Sequence, residues 1–420
     1  MMNLKNRIAA LVLVACAVSS PAHCPAGDWA QFLGPHRNGM SSETGLVETF
    51  PKTGPKIEWR TELGVGMSGL AVSRGKLVTL FQDERQYAVA LDAATGKELW
   101  KTPLGPAYEN AMGNGPRATP TIHDGSVYVF TGEGNLAALA LDSGLLKWSI
   151  DTPAELFSKP AEYGMASSPL VVGELVVVQV GSHRGTVAAF ERETGKQKWA
   201  VGTCQAGYSS PILATLAGRS QIVAFAGDRV LGINPDDGAE LWHFLYETDY
   251  NCNTASPVVL DDSTVLISSG ENHGSAALRI AADGDKFSVM EAWTSFGKDS
   301  VLRAEWQTPI LLDGHLYGMD NIGSAGTITN LVCVDAATGK QLWMEPRFGK
   351  SNLICADSKL FISTMRGELI VVKATTEGFQ ETGRTVVTGM TRQAPALAEG
   401  LLYMRDDREV VCVNVQAKAE

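Results

Sequence analysis

The sequence lacks the cysteine patterns that most cysteine chemistry requires. Seven cysteines occur in 420 residues. None are adjacent, none form Cys-x-x-Cys and none precede a histidine, which excludes a vicinal disulfide, a paired redox motif and a c-type haem attachment. Beyond Cys16 and Cys24 near the N-terminus, they are spread along the chain at Cys204, Cys252, Cys333, Cys355 and Cys412. We expect free, buried small hydrophobic residues and no disulfide framework.

Long hydrophobic runs are also missing, apart from one at the N-terminus. Lys5 and Arg7 precede an apolar run from Ile8 to Val18, and small residues follow. This is typical of a secretory signal peptide and is too short to span a bilayer. Cleavage after Ala22 is the preferred prediction. The alternative is a lipoprotein box, Leu13-Val14-Ala15-Cys16, that would place a lipid anchor on Cys16. Both predict an exported protein, periplasmic or associated with the cell envelope.

Basic residues are fewer than acidic residues, and helical periodicity is absent. The formal net charge is −11, which argues against nucleic acid as a partner because that binding needs a basic face. No block of like charge stands out, so we assign the excess to solubility and expect a monomer. No helical heptad occurs, and 43 glycines separate short β-branched runs. This composition predicts an all-β protein.

What the sequence does contain is a repeat. Asp92-Ala93-Ala94-Thr95-Gly96-Lys97-Glu98-Leu99-Trp100 returns almost unchanged from Asp335 to Trp343. The unit is interpreted as the end of one strand, a turn that needs glycine, and a new strand with a packing aromatic residue. Such a unit cannot bury a face alone and must be stacked on its copies.

The tryptophans measure the period of this repeat. Their spacing averages about 47 residues, which fits a four-stranded propeller blade. The register positions are Trp59, Trp100, Trp148, Trp199, Trp242, Trp293 and Trp343. Because the same aromatic residue recurs in each copy, we predict a structural role for all seven, docking neighbouring blades.

Counting strands predicts how the ring closes. Sets of three strands, A to C, begin near residues 68, 119, 168, 210, 256, 308, 351 and 394, and fourth strands, D, begin near 57, 98, 146, 197, 241, 291, 341 and 385. The first D strand has no preceding set, and the last set has no D strand. Pairing Ile57–Leu63 with the sheet of Ala394–Val415 would complete an eighth blade and remove the open edges. An eight-bladed β-propeller of four-stranded antiparallel blades is the prediction, with seven blades and an irregular tail as the alternative.

The predicted organisation has four segments. Residues 1–22 form the signal peptide, residues 23–55 an extended N-terminal strap, residues 56–416 the propeller and residues 417–420 a C-terminal tail. The strap is rich in glycine and proline and shows no period, so we expect it to lie across the domain.

The repeat resembles the pyrroloquinoline-quinone-type (PQQ-like) β-propeller family. The resemblance rests on the Leu-Asp-Ala-x-Thr-Gly-Lys-x-x-Trp element with a Ser-Pro strand before it, and covers about residues 56 to 415. This family includes quinoprotein alcohol and sugar dehydrogenases as well as a BamB-like branch without cofactor. The resemblance therefore implies the fold and leaves the function open.

Candidate site residues follow from the topology of a blade. The A–B and C–D turns share one side, which carries the uniform Asp-Gly and Thr-Gly turns. The B–C and D–A loops share the other side, called here the variable face, and differ from copy to copy. On that face we predict ligand-binding residues around the mouth of the central channel: Arg117, Tyr163, His183, Arg184, Tyr208, Asn253, Gln307, Asp320, Asn321 and Arg392.

Catalytic patterns are sparse. There is no Gly-x-Ser-x-Gly element, and His183 and His273 lack a metal-ligand spacing. The resemblance implies that a quinoprotein dehydrogenase would need a carboxylate base, calcium ligands and, in many alcohol-oxidising members, adjacent cysteines. We therefore expect no catalytic residues, metal or cofactor, and a BamB-like scaffold for a protein or envelope ligand. A PQQ- and calcium-dependent alcohol or sugar dehydrogenase is the alternative.

Overall fold

A computed structural model of the protein describes residues 27–323 and 328–417. Eight four-stranded antiparallel sheets form a closed ring. This confirms the predicted eight-bladed β-propeller and excludes the seven-bladed alternative. The predicted signal peptide and Cys16 lie outside the described residues, as does Cys24.

The strands follow one another blade by blade. The first, β1 (Lys56–Glu62), belongs to the last blade. Blade 1 contains β2 (Ala71–Ser73), β3 (Lys76–Gln82), β4 (Arg85–Asp92) and β5 (Glu98–Pro106). Blade 2 contains β6 (Thr121–His123), β7 (Ser126–Phe130), β8 (Asn135–Ala140) and β9 (Leu146–Asp151). Blade 3 contains β10 (Leu170–Val172), β11 (Leu175–Ser182), β12 (Gly185–Glu191) and β13 (Gln197–Val201). Blade 4 contains β14 (Ile212–Leu216), β15 (Arg219–Phe225), β16 (Arg229–Ile233) and β17 (Glu240–Leu245).

The second half of the ring has the same order. Blade 5 contains β18 (Val258–Val259), β19 (Thr264–Ser269), β20 (Gly274–Asp283) and β21 (Lys286–Phe296). Blade 6 contains β22 (Ile310–Leu312), β23 (His315–Ile322), β24 (Ile328–Asp335) and β25 (Gln341–Glu345). Blade 7 contains β26 (Ser351–Ala356), β27 (Lys359–Thr364), β28 (Glu368–Lys373) and β29 (Glu381–Val386). Blade 8 contains β30 (Ala396–Ala398), β31 (Leu401–Arg405) and β32 (Glu409–Asn414), with β1 as its outer strand.

The two ends of the described chain meet in blade 8. β1 pairs antiparallel with β32, and in this register Thr61 lies opposite Val410. The N-terminal strand therefore closes the ring, as predicted. Each blade keeps two short edges, its inner strand toward the axis and its outer strand at the rim, and in blade 8 the outer strand is β1.

Burial explains why the inner strands are so apolar. In β3 and β4 nearly every residue is buried, because both faces of the sheet pack on neighbouring blades, whereas the outer strand β5 is mostly exposed or half-buried. Strands that are buried on both faces have nearly continuous hydrophobic sequences, whereas the half-exposed outer strands also contain polar residues. Among the described cysteines, all free, Cys333, Cys355 and Cys412 are buried and Cys204 and Cys252 are partly exposed.

The tryptophans lie between blades. The Trp100 indole N–H donates to the carbonyl of Leu141 in the next blade at 2.8 Å. A Cβ added at Gly144, in the C–D turn of that blade, would lie 2.6 Å from the Trp100 ring. The turn glycine is therefore required both by its positive φ of 68° and by close packing. Corresponding bonds join Trp59 to Ala93, Trp148 to Arg192, Trp199 to Pro235, Trp293 to Ala336 and Trp343 to Thr375.

Trp242 does not bond to the next blade. The Trp242 indole N–H donates within its own blade 4, to Gln221 Oε1 at 2.6 Å. The following blade lacks the short C–D turn ending in glycine that receives the other tryptophans, and instead carries a long hairpin, β20 to β21, which turns at Asp283–Lys286. β21 begins at Lys286, earlier than the predicted start near 291, because the hairpin is longer than in the other blades.

The strap crosses one end of the ring. Trp29 pairs with Val72 of blade 1, and the carbonyl of Ala30 accepts from Ile122 of blade 2. Farther along, Gly39 and Ser41 bond to Cys355 of blade 7. Between these contacts, Arg37 donates to the carbonyls of Ser168 and Pro169 in blade 3. The strap therefore crosses the central axis from blade 3 to blade 7, which lie opposite each other in a ring of eight.

Helical structure is minor. One helix, α1 (Thr152–Leu156), and two 3₁₀ turns, Asp249–Asn251 and Gly297–Asp299, lie in D–A loops. Within residues 27–323 and 328–417, no helix has the length and apolar character that a membrane crossing requires.

Candidate functional site

A cavity of about 420 Å³ lies on the central axis, at the end lined by the variable face. Residues from D–A loops of most blades form its wall, and the B–C loop of blade 5 adds Glu271 and His273. Trp29, Phe32 and Leu33 of the strap contribute to its lining. The strap therefore limits the cavity at the far end.

A relay of hydroxyl groups holds the wall together. The N–H of Thr119 donates to Ser168 Oγ at 2.9 Å, and the N–H of Ser168 donates to Ser210 Oγ at 2.9 Å. The relay continues from Ser210 to Ser256 at 3.1 Å and from Ser256 to Thr308 at 3.0 Å. The Ser-Pro elements thus fix each blade to the next, in addition to starting strands. In blade 1 this position is Gly69, where an added Cβ would lie 2.4 Å from Thr119 Oγ1.

Two tyrosines from neighbouring D–A loops form one side of the wall. The rings of Tyr163 and Tyr208 lie 5.7 Å apart, and the Tyr208 hydroxyl accepts the Tyr163 N–H at 3.2 Å. Burial raises the pKa of both hydroxyls. At neutral pH they stay protonated and offer hydrogen bonds beside an apolar ring face.

Two arginines flank a single turn of the D–A loop between blades 1 and 2. Arg392 donates to the carbonyl of Met112, and Arg117 donates to that of Gly113 at 2.6 Å. Arg117 is only 8% exposed and lies over the ring of Tyr108, 4.7 Å from its centroid. Burial, with a smaller effect from neighbouring Arg392, lowers the pKa of Arg117. Across residues 27–323 and 328–417, neither arginine forms an ion pair with a carboxylate.

An acidic group and a tryptophan form the opposite part of the wall. Glu305 pairs with Lys350 at 2.8 Å, and burial raises the pKa of Glu305. The Trp306 ring carries two cations, with Lys350 Nζ 4.1 Å and the Arg392 guanidinium carbon 5.3 Å from its centroid. Trp306 therefore fixes the position of Arg392 through cation–π contacts.

Five of the ten predicted ligand-binding residues line this cavity: Arg117, Tyr163, Tyr208, Gln307 and Arg392. His183 and Arg184 are exposed in the B–C turn of blade 3, away from the cavity lining. The Arg184 guanidinium lies 4.1 Å from the ring centroid of Phe157.

The remaining three predicted residues are buried in the framework. Asn253 donates to the carbonyls of Ala226 and Gly227. Asp320 and Asn321 lie within β23, and not in a turn as predicted, because that strand continues to Ile322. Asp320 forms a buried ion pair with Arg303 at 2.6 Å, and Asn321 Nδ2 donates to the Arg303 carbonyl. Their polar atoms satisfy the backbone and each other, so they do not face the axis.

The ten predicted residues do not include Trp306, Met67, Met112 and Tyr250, which also line the cavity. A signal for Trp306 was present, since it falls outside the 47-residue register and cannot be a docking residue. The methionines gave no signal, because isolated apolar residues in a loop resemble core residues in sequence.

Fold and site together define an eight-bladed PQQ-type propeller with a ligand-sized cavity on its axis. The chain belongs to the family described as outer membrane protein assembly factor BamB, whose model matches residues 43–158 and 84–345.

Curated relatives fall into different functional classes. Outer membrane protein assembly factor BamB from Burkholderia pseudomallei is 24% identical over 351 residues, covering 81% of this chain and 80% of that protein. Serine/threonine-protein kinase AfsK from Streptomyces griseus is 37% identical over 139 residues, 33% of this chain. The dehydrogenase subunit of a quinone alcohol dehydrogenase from Gluconacetobacter polyoxogenes is 35% identical over 120 residues, 26% of this chain. The matches to AfsK and to the dehydrogenase each span only 16% of that protein.

Solved structures agree on the fold. BamB from Moraxella catarrhalis superimposes with a TM-score of 0.61 at 15% identity, over 86% of this chain and 99% of that one. Quinohemoprotein alcohol dehydrogenase from Comamonas testosteroni gives a TM-score of 0.67 at 13% identity, over 95% and 82%. Both classes share the ring, so the ring alone does not distinguish binding from catalysis.

Proposed function

We propose that the protein is an exported, non-enzymatic propeller that holds a protein or cell-envelope ligand at its variable face, as a BamB-like scaffold. The observation that carries this proposal is the axial cavity, whose aromatic and charged side chains are not repeated from blade to blade. Repeated residues build the ring, so residues used once are available for recognition.

Backbone strain at the cavity mouth supports the proposal. Tyr250 and Asn251 in one loop, and Glu271 and Asn272 in the neighbouring loop, have positive φ angles of 58°, 55°, 53° and 69°. Left-handed backbone at residues other than glycine costs free energy and clusters at binding sites. Tyr250 is 65% exposed at this mouth, where it offers a ring to a partner.

A quinone-dependent oxidoreductase is the second candidate, favoured by the superposition on the quinohemoprotein dehydrogenase. The residues at the cavity do not fit a calcium-quinone pair. Within the described ranges, no group of three or more His, Cys, Asp or Glu residues is placed to hold a metal ion. The cavity carboxylate Glu305 is already paired with Lys350, and Cys252 lines the wall without an adjacent cysteine.

The experiment that tests the proposal compares binding with turnover. Purified protein is cross-linked in envelope fractions of the source cells, and the same protein is assayed for dye reduction with alcohols or sugars after addition of quinone and calcium. We expect a specific envelope partner and no turnover. Turnover, or the absence of any cross-linked partner, would contradict the proposal. Recovery of the protein in the cytoplasmic fraction of the same cells would contradict export.

A further inference from the structure

The arginine pair at the cavity has no counter-ion among the described residues. Arg117 is 8% exposed, yet its guanidinium donates only to the carbonyls of Gly113 and Gly115. Arg392 donates to the Met112 carbonyl and contacts Met67 Sδ. Burying a cation without a counter-ion costs free energy, and a second cation nearby increases that cost. A bound anion would remove both penalties.

Two other buried arginines, Arg37 and Arg405, have hydrogen bonds but no ion pair with a carboxylate among the described residues, Arg37 donating to Gln31, Ser168 and Pro169. The missing counter-ion therefore does not mark a binding site by itself. Arg303 is held by Asp320 in a bidentate pair. Arg405 is 1% exposed and donates to Ser68, Thr79 and Leu80 across the junction of blades 8 and 1, which is a framework role. What distinguishes Arg117 and Arg392 from Arg37, Arg303 and Arg405 is that they line the axial cavity. Their position at the mouth makes them available to a ligand.

The side chains around the two arginines indicate which groups of a ligand would lie next to its anionic group. Met67, Met112, Tyr163 and Tyr208 lie around the same cavity, and Met112 is 41% exposed. Flexible methionines and rigid tyrosines suit varied apolar side chains of a peptide. A volume of about 420 Å³ admits a few side chains and no folded domain.

We propose that the cavity receives an extended peptide segment of a partner protein, whose carboxylate binds Arg117 and Arg392 while adjacent apolar side chains contact the methionines and tyrosines. Trp306 is a positioning residue, because its ring contacts Arg392. This inference rests on the proposed function and specifies the ligand class of its site. Guanidinium groups bind carboxylates through charge-assisted hydrogen bonds, which gives the site its selectivity.

Photo-cross-linking tests where the segment binds. A benzoylphenylalanine is placed at Met112 in the full chain, at Phe157 on the variable face outside the cavity, and at Leu145 in a turn on the uniform side. Each protein is irradiated in envelope fractions, and the captured peptides are sequenced by mass spectrometry. We expect capture at position 112 of a segment with Asp, Glu or a C-terminal carboxylate within a few residues of the cross-link. Capture at 157 alone would overturn the cavity inference and leave the proposed function standing. Capture at no position beyond the Leu145 background would overturn both.

The captured segment, synthesised as a peptide, then tests the chemistry. Arg392→Gln should raise its Kd about tenfold or more, and the amide form of the peptide should bind the unaltered protein as weakly. Arg366→Gln is the matched control, since Arg366 is exposed in a B–C turn of blade 7 and does not line the cavity. Equal affinity of acid and amide peptides, or an Arg392→Gln protein with unchanged melting and unchanged Kd, would overturn the proposal. A captured segment without an acidic group would do the same.

Discussion

At the scale of single residues, the docking tryptophans show how a repeat stabilises a ring. Each of six indoles uses its N–H on the next blade and its ring on that blade's turn, so one side chain joins two sheets. Removing one tryptophan should therefore destabilise the junction between its two blades, and the tryptophans at other junctions cannot replace that contact.

Trp100→Ala should lower the free energy of unfolding by about 3–5 kcal/mol, because it leaves a cavity and an unpaired Leu141 carbonyl. Urea denaturation followed by circular dichroism measures the change. Leu99→Ala is the control, since Leu99 is 47% exposed and next in sequence. Equal midpoints for the two variants would contradict the docking role.

Residues also mark the limit of sequence reasoning here. Arg117 and Arg392 could be predicted at the cavity because their loops precede inner strands. Asn253 also precedes an inner strand, yet its side chain bonds to the framework carbonyls of Ala226 and Gly227. Asp320 and Asn321, expected in a B–C turn, are likewise held in the framework, by Arg303. Whether a polar loop residue faces the axis depends on which buried carbonyl or charge lies within its reach, and that information comes from distant residues such as Arg303.

At the scale of elements, the C–D turn that ends in glycine, with the sequence Asp-x-x-Thr-Gly in blades 1 and 6, combines a local constraint with a contact between blades. Its glycine adopts left-handed backbone, and the tryptophan of the preceding blade lies against it. The A–B turn glycines have the same backbone without such a neighbour, as at Gly75, where an added Cβ has no atom within 4 Å. A–B turn glycines are therefore required only for their left-handed backbone, whereas C–D turn glycines are required for this backbone and for contact with a tryptophan.

Gly75→Ala and Gly144→Ala make this separation measurable. Both place alanine at a positive φ, 72° and 68°, which costs about 1–2 kcal/mol. Gly144→Ala should cost about 1–3 kcal/mol more, because its Cβ would lie 2.6 Å from the Trp100 ring. Thermal melts of both variants give the difference. Indistinguishable melts would mean that the ring moves aside without cost.

The aspartate of the turn gives a pH dependence. Asp335 accepts the Thr338 hydroxyl at 2.6 Å and the Thr338 N–H at 2.8 Å, and these bonds lower its pKa in the folded protein. A lowered pKa contributes stability above the unfolded value, and this contribution is lost as the pH falls through the folded value. Asp335→Asn should therefore lose less stability than the unaltered protein between pH 7 and about pH 3. The same change at exposed Asp407 is the control, and parallel pH profiles for all three proteins would refute the assignment.

At the scale of the whole molecule, the number of blades and the closure could be predicted from the sequence because tryptophans and turns recur at a fixed spacing. The path of the strap could not, since residues 27–55 have no period and bond to five blades, 1, 2, 3, 7 and 8, through isolated hydrogen bonds. The long hairpin of blade 5 was displaced in the prediction for the same reason. The repeated sequence therefore predicts the repeated blades, whereas the strap and the long hairpin are determined by tertiary packing.

Two shortened proteins should separate the strap from the closing strand. A chain that starts at residue 52 keeps β1 but loses Trp29, Leu33 and Leu46, all buried. It should remain a folded monomer with a lower melting temperature and a cavity open at the strap end. A chain that starts at residue 64 also lacks β1, which exposes the edge of β32, and it should self-associate. Light scattering with thermal melts distinguishes them, and a monomeric, equally stable second protein would show that closure is dispensable.

The pairing of β1 with β32 also determines when blade 8 can form during synthesis. β1 is synthesised before any complete blade, whereas its partner β32 (Glu409–Asn414) follows all four strands of blades 1 to 7. Blades 1 to 7 each become complete once their own four strands exist, whereas blade 8 requires the first and the last strand together. A chain interrupted before β32 would carry seven finished sheets and two unpaired edges. β1 therefore stays without its partner until β32 has been synthesised.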